Sequence, residues 1–365
     1  MGIMIRKPGV ATTVQDTGRF GYMGSGFSPS GVMDRRALRL ANLLVDNDSD
    51  DCVLEFALAG PTLRFTTDTF IALTGADFSA RLDGAEAPLY RALPVHRGSK
   101  LSFGAPRRGV YGYIAFAGGS LSVAKVMGSR STNLKCSLGG WHGRTLAPND
   151  YIPFAQKETD YLPMQASHEL PYDDIYPKPG EIVELRVIPG PQEELFTDAG
   201  IKTFYEQTFE TTVKSDRMGY RLDGPAIETI AGSDIISDGI AFGAVQVPSH
   251  GRPIIMLADR QTTGGYAKIA TVASVDIPKL VQSTPGTAIS FKRISVGEAQ
   301  CLYREQEKYY AHLEKVVTRP TAGGASPRRT ARRLTPILER QALASRGKSL
   351  WIDTPSAHSA TKENG

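Results

Sequence analysis

No stretch of the 365-residue chain holds 18 consecutive apolar residues, the length a helix needs to cross a bilayer, so no membrane span is expected. The first ten residues, MGIMIRKPGV, lack the apolar core and small-residue cleavage site of a secretory leader. Cysteine is scarce. Cys52, Cys136 and Cys301 are odd in number, far apart and form no C-x-x-C pair, which points to reduced, structural thiols and a cytoplasmic setting. The six histidines never fall at i,i+3 or i,i+4 spacing and no H-E-x-x-H occurs, so a metal site has no support. A Walker-type G-x-x-x-x-G-K-[ST] and a G-x-S-x-G elbow are also missing. Gly24-Ser25-Gly26 starts like a dinucleotide fingerprint, but Pro29 occupies its third glycine position. Lys125 lacks methionine on both sides, so no covalent biotin is expected on this chain.

Charge of one sign is missing from the body but not from the tail. Nine Lys/Arg against Glu339, Asp353 and Glu363 give residues 318–365 a net +6, which leaves −2 on the rest of a chain of overall charge +4. The basic balance is therefore a property of the tail, and the body offers no electrostatic footprint for nucleic acid. The tail is rich in Pro, Gly, Ala and Arg, with a weak apolar patch at 334–343, and reads as disordered and solvated.

What remains is an ordinary globular composition, 41% hydrophobic and 22% charged, with apolar content enough for a core. Its length suggests about two domains. TFIALTG (69–75), KLSFGAP (100–106), YGYIAFAGG (111–119) and IIML (254–257) are short β-type runs closed by Gly, Pro or polar residues. In VELRV (183–187), Val183, Leu185 and Val187 face one way, Glu184 and Arg186 the other. Helical periodicity is confined to about 33–45 and 296–317, the latter through Leu302, Tyr309, Leu313 and Val316. The expected fold is mainly β with a few helices, in barrels or sandwiches and not a doubly wound sheet. A β-rich half with one helix at 1–160, a Pro-rich connection at 161–180 and a β-rich half ending in a helix at 181–317 precede the tail at 318–365.

Two polar clusters break the strand pattern. In TTVQDTGRFGYMGSGFSPSGVMD (12–34), Gln15, Asp16 and Arg19 lie close together among glycines. Glycine lets backbone N–H groups approach a ligand, and a planar Arg fork suits carboxylate or phosphate. A turn at Asp16 and Gly18, with Arg19 paired to Asp16, explains the same residues without a ligand. The second cluster is SDRMGYRLDGP (215–225) with FGAVQVPSHGRPIIMLADRQTTGGY (242–266). Gln246 lies inside an apolar strand, where its amide needs a partner. Asp259 and Arg260 end the next strand, and Thr262, Thr263, Gly264 and Gly265 form a donor-rich loop. A structural strand-end Asp-Arg pair is the plainer alternative.

From about Ile5 to Ala311 the chain resembles the allophanate hydrolase subunit 2, or biotin-dependent carboxyltransferase-like, family. The resemblance is carried by TTVQDTGRFGY, SGVMDRRALRLANLLVDN, LTGA, YIAFAGG, VMGSRST, SDRMGYRLDGP, GAVQVPSHGRPI and DRQTTGGY, in order. Members include one component of a prokaryotic 5-oxoprolinase, a Kip-inhibitor antagonist and part of urea amidolyase; QVP and DRQTTGGY look closest to the 5-oxoprolinase branch. Tyr111 replaces an Arg usual in the family, and Asp46 replaces the glycine of its LVGN.

The resemblance implies cyclophilin-like β-barrels and work alongside two partners, a Kip-inhibitor-like B-type subunit and an A-type subunit. It implies ATP-dependent hydrolysis of 5-oxo-L-proline, a small lactam, to L-glutamate, with ATP bound with or by the partners. On that reading Asp259, Arg260 and Gln246 are catalytic candidates, while Gln15, Asp16, Arg19, Thr262, Thr263, Gly264 and Gly265 bind substrate. Arg19 or Arg260 would pair the carboxylate, Gln15 and Gln246 the amide. Asp259 would orient water or the lactam N–H, and the Gly264-Gly265 backbone would hold a developing oxyanion. A carboxyltransferase component of urea metabolism and a non-catalytic antagonist of a kinase inhibitor are the alternatives.

Overall fold

Frequent Gly and Pro breaks cut the chain into twenty short strands and four α-helices among the described residues. The computed structural model describes residues 1–155, 170, 176–178 and 180–317. Most of the 161–180 connection and all of the 318–365 tail, with its apolar patch, lie outside them. The described residues belong to one unit, Met1–Thr318.

The N-terminal half builds two sheets. One has the order β11 (Tyr151–Pro153), β1 (Gly2–Lys7), β4 (Thr62–Phe65), β9 (Lys100–Ser102), β6 (Arg81–Leu82) and β7 (Ala85–Glu86). The other runs β2 (Thr13–Gln15), β3 (Val53–Ala57), β10 (Arg108–Phe116), β5 (Thr69–Asp77) and β8 (Ala92–Val95). Ile3, Ile5, Leu63 and Phe65 from the first meet Leu54, Phe56, Ile71 and Ile114 from the second in one shared core. The strand expected through 100–106 stops at Ser102; Gly104 weakens a ladder and Pro106 has no N–H to donate to one.

The C-terminal half closes into a seven-stranded barrel. Its order is β12 (Val183–Pro189), β19 (Lys268–Val272), β16 (Ala244–Gln246), β17 (Ile254–Met256), β14 (Gly219–Asp223), β13 (Phe209–Thr211) and β20 (Ala288–Arg293). β12 pairs in parallel with β20, Val183 opposite Ile289. As its alternation requires, Val183, Leu185 and Val187 are buried. A two-stranded ribbon, β15 (Asp234–Gly239) with β18 (Thr263–Tyr266), stands apart from the barrel ladder. The stretch expected as a loop at 262–265 is therefore mostly strand. Asp234 faces Tyr266 and Gly239 faces Thr263, with β16 and β17 between them in the chain, so local turn signals do not reveal the pairing.

Helix α1 (Arg35–Leu44) sits at the seam between the halves. Asp34 caps it, its carboxylate accepting from Ala37 N at 2.9 Å, an interaction worth about 1 kcal/mol. Ala37, Leu38, Leu40, Ala41 and Leu44 are buried and share one core with Tyr111, Tyr113 and the barrel's Leu185, Phe209 and Ile255. Just past the helix end, Asp46 takes a left-handed φ of 55°, the conformation for which glycine is the low-strain choice. Helices α2 (Asp198–Glu206) and α3 (Ile277–Val281) flank the barrel strands, and α4 (Val296–Val317) returns toward α1. On α4 the buried stripe is Tyr310, Leu313 and Val317. Of the expected stripe Leu313 is buried, while Tyr309 and Val316 are exposed and Tyr310 and Val317 are buried beside them, because α4 packs on α1 through its Tyr310 edge. There Arg39 lies 4.2 Å over the Tyr310 ring and pairs with Glu307 at 2.7 Å.

Candidate functional site

The first cluster is a knot that holds the VMGSRST segment. The Asp16 carboxylate accepts from Gly18 N (2.9 Å), Ser129 Oγ (2.6 Å), Arg130 N (2.5 Å) and Ser131 Oγ (2.5 Å). Such a saturated carboxylate has little capacity left for a ligand. Arg19 is fully buried, with Nε on Val126 O (3.2 Å) and Nη2 on Ser131 O (2.9 Å). Burial lowers its pKa, partly offset by Asp16. Gln15 Nε2 donates to Thr13 Oγ1 (3.0 Å) and Thr132 O (3.1 Å). Gln15 Oε1 and Arg19 Nη1 are buried without a hydrogen-bond partner among the described residues. The turn at Asp16 and Gly18 forms, but Arg19 spends its hydrogen bonds on backbone carbonyls and not on Asp16.

The second cluster centres on a residue that sequence reasoning did not single out. Arg217 donates from Nε to Asp259 Oδ2 (2.7 Å), from Nη2 to Asp259 Oδ1 (3.2 Å) and Gly31 O (2.7 Å), and from Nη1 to Glu55 Oε1. Glu55 also accepts from Met33 N at 2.7 Å. Burial would lower the Arg217 pKa, but Asp259 and Glu55 outweigh it and hold the guanidinium charged. Two carboxylates share this one cation, and burial pushes the Glu55 pKa up despite it. Glu55 announces itself in one respect: it is an acid inside the apolar strand VLEFA. Arg217 lies within the quoted SDRMGYRLDGP, yet nothing local names its partners.

Arg260 behaves differently. It is 6% exposed and donates to Ile240 O (2.9 Å) and Leu257 O (3.2 Å), with Nη2 3.8 Å from Met23 Sδ. Its guanidinium lies 5.7 Å over the Phe242 ring. Burial, with Arg35 nearby, lowers its pKa to about 10. The strand-end Asp-Arg pairing considered from sequence does not occur within DRQTTGGY: Asp259 pairs with Arg217, and Arg260 pairs with carbonyls. Gln246 is buried and its Nε2 reaches Tyr266 O at 3.4 Å, its one side-chain hydrogen bond among the described residues. Beside it Lys268 Nζ lies 3.0 Å from Asp238 Oδ2.

Thr263, Gly264 and Gly265 lie in β18, where Thr263 pairs with Gly239 and Gly264 with Asp238; Thr262 O accepts from Ile240 N at 3.1 Å. A Cβ on Gly264 would stand 2.7 Å from Ile240 Cδ1 and 2.9 Å from Gln246 Nε2. Glycine there is thus a matter of room between side chains.

The clusters do meet. Ser28 Oγ donates to Ala258 O at 3.2 Å, Arg217 reaches Gly31 O, and Arg260 touches Met23. Gly31, at φ 91°, makes this possible: its Cα approaches Thr17 so closely that a Cβ would lie 2.9 Å from Thr17 C and O. The seam is tied again by Gln282, which accepts from Val110 N (2.9 Å) and Tyr111 N (3.1 Å) and donates to Tyr111 O (3.0 Å) and Asp34 Oδ2 (3.1 Å). Tyr111 thus fills the family's Arg position as a buried residue in this seam. A cavity of about 420 Å³ opens between α1 and α4, lined in part by Phe20, Arg35, Phe242 and Tyr303. Cys52 is buried, and burial pushes its pKa up to about 11. Cys136 and Cys301 are exposed, so the structural reading fits Cys52 alone. Among the described residues no group of three or more His, Cys, Asp or Glu is placed to hold a metal ion, and no helix is long and apolar enough to cross a membrane.

A family model described as "Carboxyltransferase domain, subdomain A and B" matches residues 25–293. The chain is 38% identical over 311 residues to the C subunit of 5-oxoprolinase from Escherichia coli K12, covering 85% of this chain and 97% of that protein. It is 35% identical to the protein of the same name from Haemophilus influenzae, covering 84% of this chain and 95% of that protein. The crystal structure of the K. lactis urea amidolyase superposes with a TM-score of 0.77 at 30% identity, over 90% of this chain. The match there spans only 20% of the longer protein.

Proposed function

Because the chain belongs to the carboxyltransferase-domain family (subdomains A and B), we propose that it is the C-type subunit of an ATP-dependent 5-oxoprolinase. The observation that carries this reading is near-complete coverage, 97% and 95%, of two relatives named as C subunits of 5-oxoprolinase. In the proposed reaction the lactam oxygen takes the γ-phosphoryl group of ATP and ADP leaves. Water then attacks the activated ring carbon, the C–N bond breaks with the nitrogen leaving as the amine, and a second water releases phosphate and L-glutamate. The step that needs help is the first, because an amide carbonyl is a poor electrophile until its oxygen is phosphorylated. ATP is handled with or by the A- and B-type partners.

Within this chain the geometry favours positioning roles for several residues first considered as direct substrate contacts. Asp16 and Arg19 fix the 126–132 segment, and Asp259 fixes Arg217. Gln15 Oε1 and Arg19 Nη1 remain without a hydrogen-bond partner among the described residues. Gln246 and the Thr262–Gly265 stretch lie on the ribbon side, together with Lys268. A second reading, a carboxyltransferase acting with a biotin carrier, is favoured by the urea amidolyase superposition.

Reconstitution separates the readings. The purified chain, mixed with its A- and B-type partners, ATP and 5-oxo-L-proline, is expected to release glutamate only when all three proteins are present. Tight assembly with no turnover would favour a regulator instead. Dependence on a biotinylated partner would favour the carboxyltransferase.

A further inference from the structure

We propose that the cavity between α1 and α4 is a binding site for a small organic anion: a ligand presenting a carboxylate or phosphate to Arg35 and a flat body to the surrounding rings. The proposal does not depend on which reaction the assembly performs. At about 420 Å³ the cavity is of ligand size. Its wall carries Arg35, Arg36 and Arg39 from one face of α1, and Phe20, Phe242, Tyr303 and Tyr310 around them. Glu307 is the acid of the lining, and it is committed to Arg39 by two hydrogen bonds of 2.7 and 2.8 Å.

Arg35 is what the cavity leaves unanswered. Its guanidinium lies 5.5 Å from the Phe20 ring centre and 5.3 Å from that of Phe242, and it makes no hydrogen bond or ion pair among the described residues. The side chain is accessible, yet protein surrounds it closely enough that desolvation lowers its pKa. An exposed guanidinium on the cavity wall is within reach of a ligand that enters it. Arg260 lies on the other contact of Phe242, 5.7 Å from its ring centre, and also lacks an acidic partner among the described residues. Two guanidiniums without an acidic partner among the described residues thus share one aromatic ring, and the charge of Arg35 disfavours that of Arg260. An anion in the cavity relieves that repulsion and meets a planar donor fork. The helix terminus is not the source of the site, since Asp34 already caps it; the charge excess resides on side chains.

Calorimetric titration of the full chain tests this with four probes: ATP, inorganic pyrophosphate, 5-oxo-L-proline and uncharged adenosine. At least one anion is expected to bind saturably and to weaken with added salt, while adenosine binds more weakly than ATP. Arg35→Gln is expected to lower the affinity of the binding anion by about tenfold, the scale of one charge-assisted contact. Arg64→Gln, an exposed change on the six-stranded sheet, is expected to leave it unchanged. ATP and pyrophosphate binding without 5-oxo-L-proline assigns the site to phosphate; the reverse assigns it to carboxylate. Absence of saturable binding by every anion overturns the proposal, as does equal affinity in the wild type and Arg35→Gln. Thermal unfolding of Arg35→Gln shows that a lost heat of binding is not lost structure. Arg35→Gln gives up two ring contacts and one repulsion, which offset, so its midpoint is expected to stay close to that of the wild type. Phe242→Leu supplies an independent, tenfold-scale test if Arg35→Gln fails to fold.

Discussion

Replacing Arg217 by Met should be among the most costly single changes in the described part of the chain. The side chain is 16% exposed and bridges Glu55, 2% exposed, to Asp259, 15% exposed. It also donates to Gly31 O. Met fills much of the volume but leaves two carboxylates, one of them fully enclosed, with no cation. Breaking one side of a buried ion pair costs about 3–5 kcal/mol, a large part of the roughly 5–15 kcal/mol by which a domain is stable. The cost should depend on pH. Burial already pushes the Glu55 pKa up, and Arg217 is the charge that opposes it, so without Arg217 the folded-state value rises further. A carboxyl raised in this way is least harmful below its unfolded pKa, about 4, and destabilises increasingly as pH climbs through the folded value. The difference between wild type and variant should therefore shrink between about pH 7.5 and about pH 5. Adding Glu55→Gln to the variant should recover part of the loss. Urea unfolding followed by circular dichroism measures all three. A cost under about 1 kcal/mol, or one equal at both pH values, would refute the reasoning that this network is a buried, charge-balanced tie.

Asp16→Ala removes the acceptor of four hydrogen bonds and should cost about 2–4 kcal/mol, with hydrogen exchange rising first in residues 126–132. Gly31→Ala places a Cβ 2.9 Å from the Thr17 backbone at φ 91° and should cost more than about 1 kcal/mol. Gly264→Ala meets only side-chain ends and should cost less than Gly31→Ala; the order of their thermal midpoints checks the contrast. Burial would raise the pKa of Asp276, but hydrogen bonds from Arg186 and the charge of Lys279 outweigh it and hold it low. A depressed pKa means stability present above about pH 4 and lost as pH falls through the folded value. The gap between wild type and Asp276→Asn should therefore close under acid, as read from thermal midpoints across a pH series.

The parts of this molecule that were legible in the sequence are those with short periods. VELRV shows its alternation, and the helix expected at about 33–45 forms at 35–44 with its apolar face buried. Glycine density in 12–34 suggested backbone open to a ligand; at Gly31 it serves a close approach to Thr17, and the segments 12–34 and 242–266 touch through Ser28 and Met23. What stayed hidden depends on residues far apart in the chain. Asp16 finds its hydroxyls 113 and 115 positions away, and Arg217 finds Glu55 at a separation of 162. No local pattern encodes such partners. For that reason the sequence does not show that Asp16 and Arg19, which look like ligand contacts in isolation, hold the 126–132 segment, or that Asp259 holds Arg217. The TGGY of DRQTTGGY misled for a related cause: Gly and Thr suggest a loop until a distant strand, 234–239, supplies its ladder.

The central claim is that this chain is required for turnover of 5-oxo-L-proline. It is tested most directly by measuring ADP and glutamate together in the full assembly, with and without this chain. One ADP and one glutamate formed in step, and neither in its absence, is the expected result. Glutamate release that continues undiminished when this chain is omitted would contradict it.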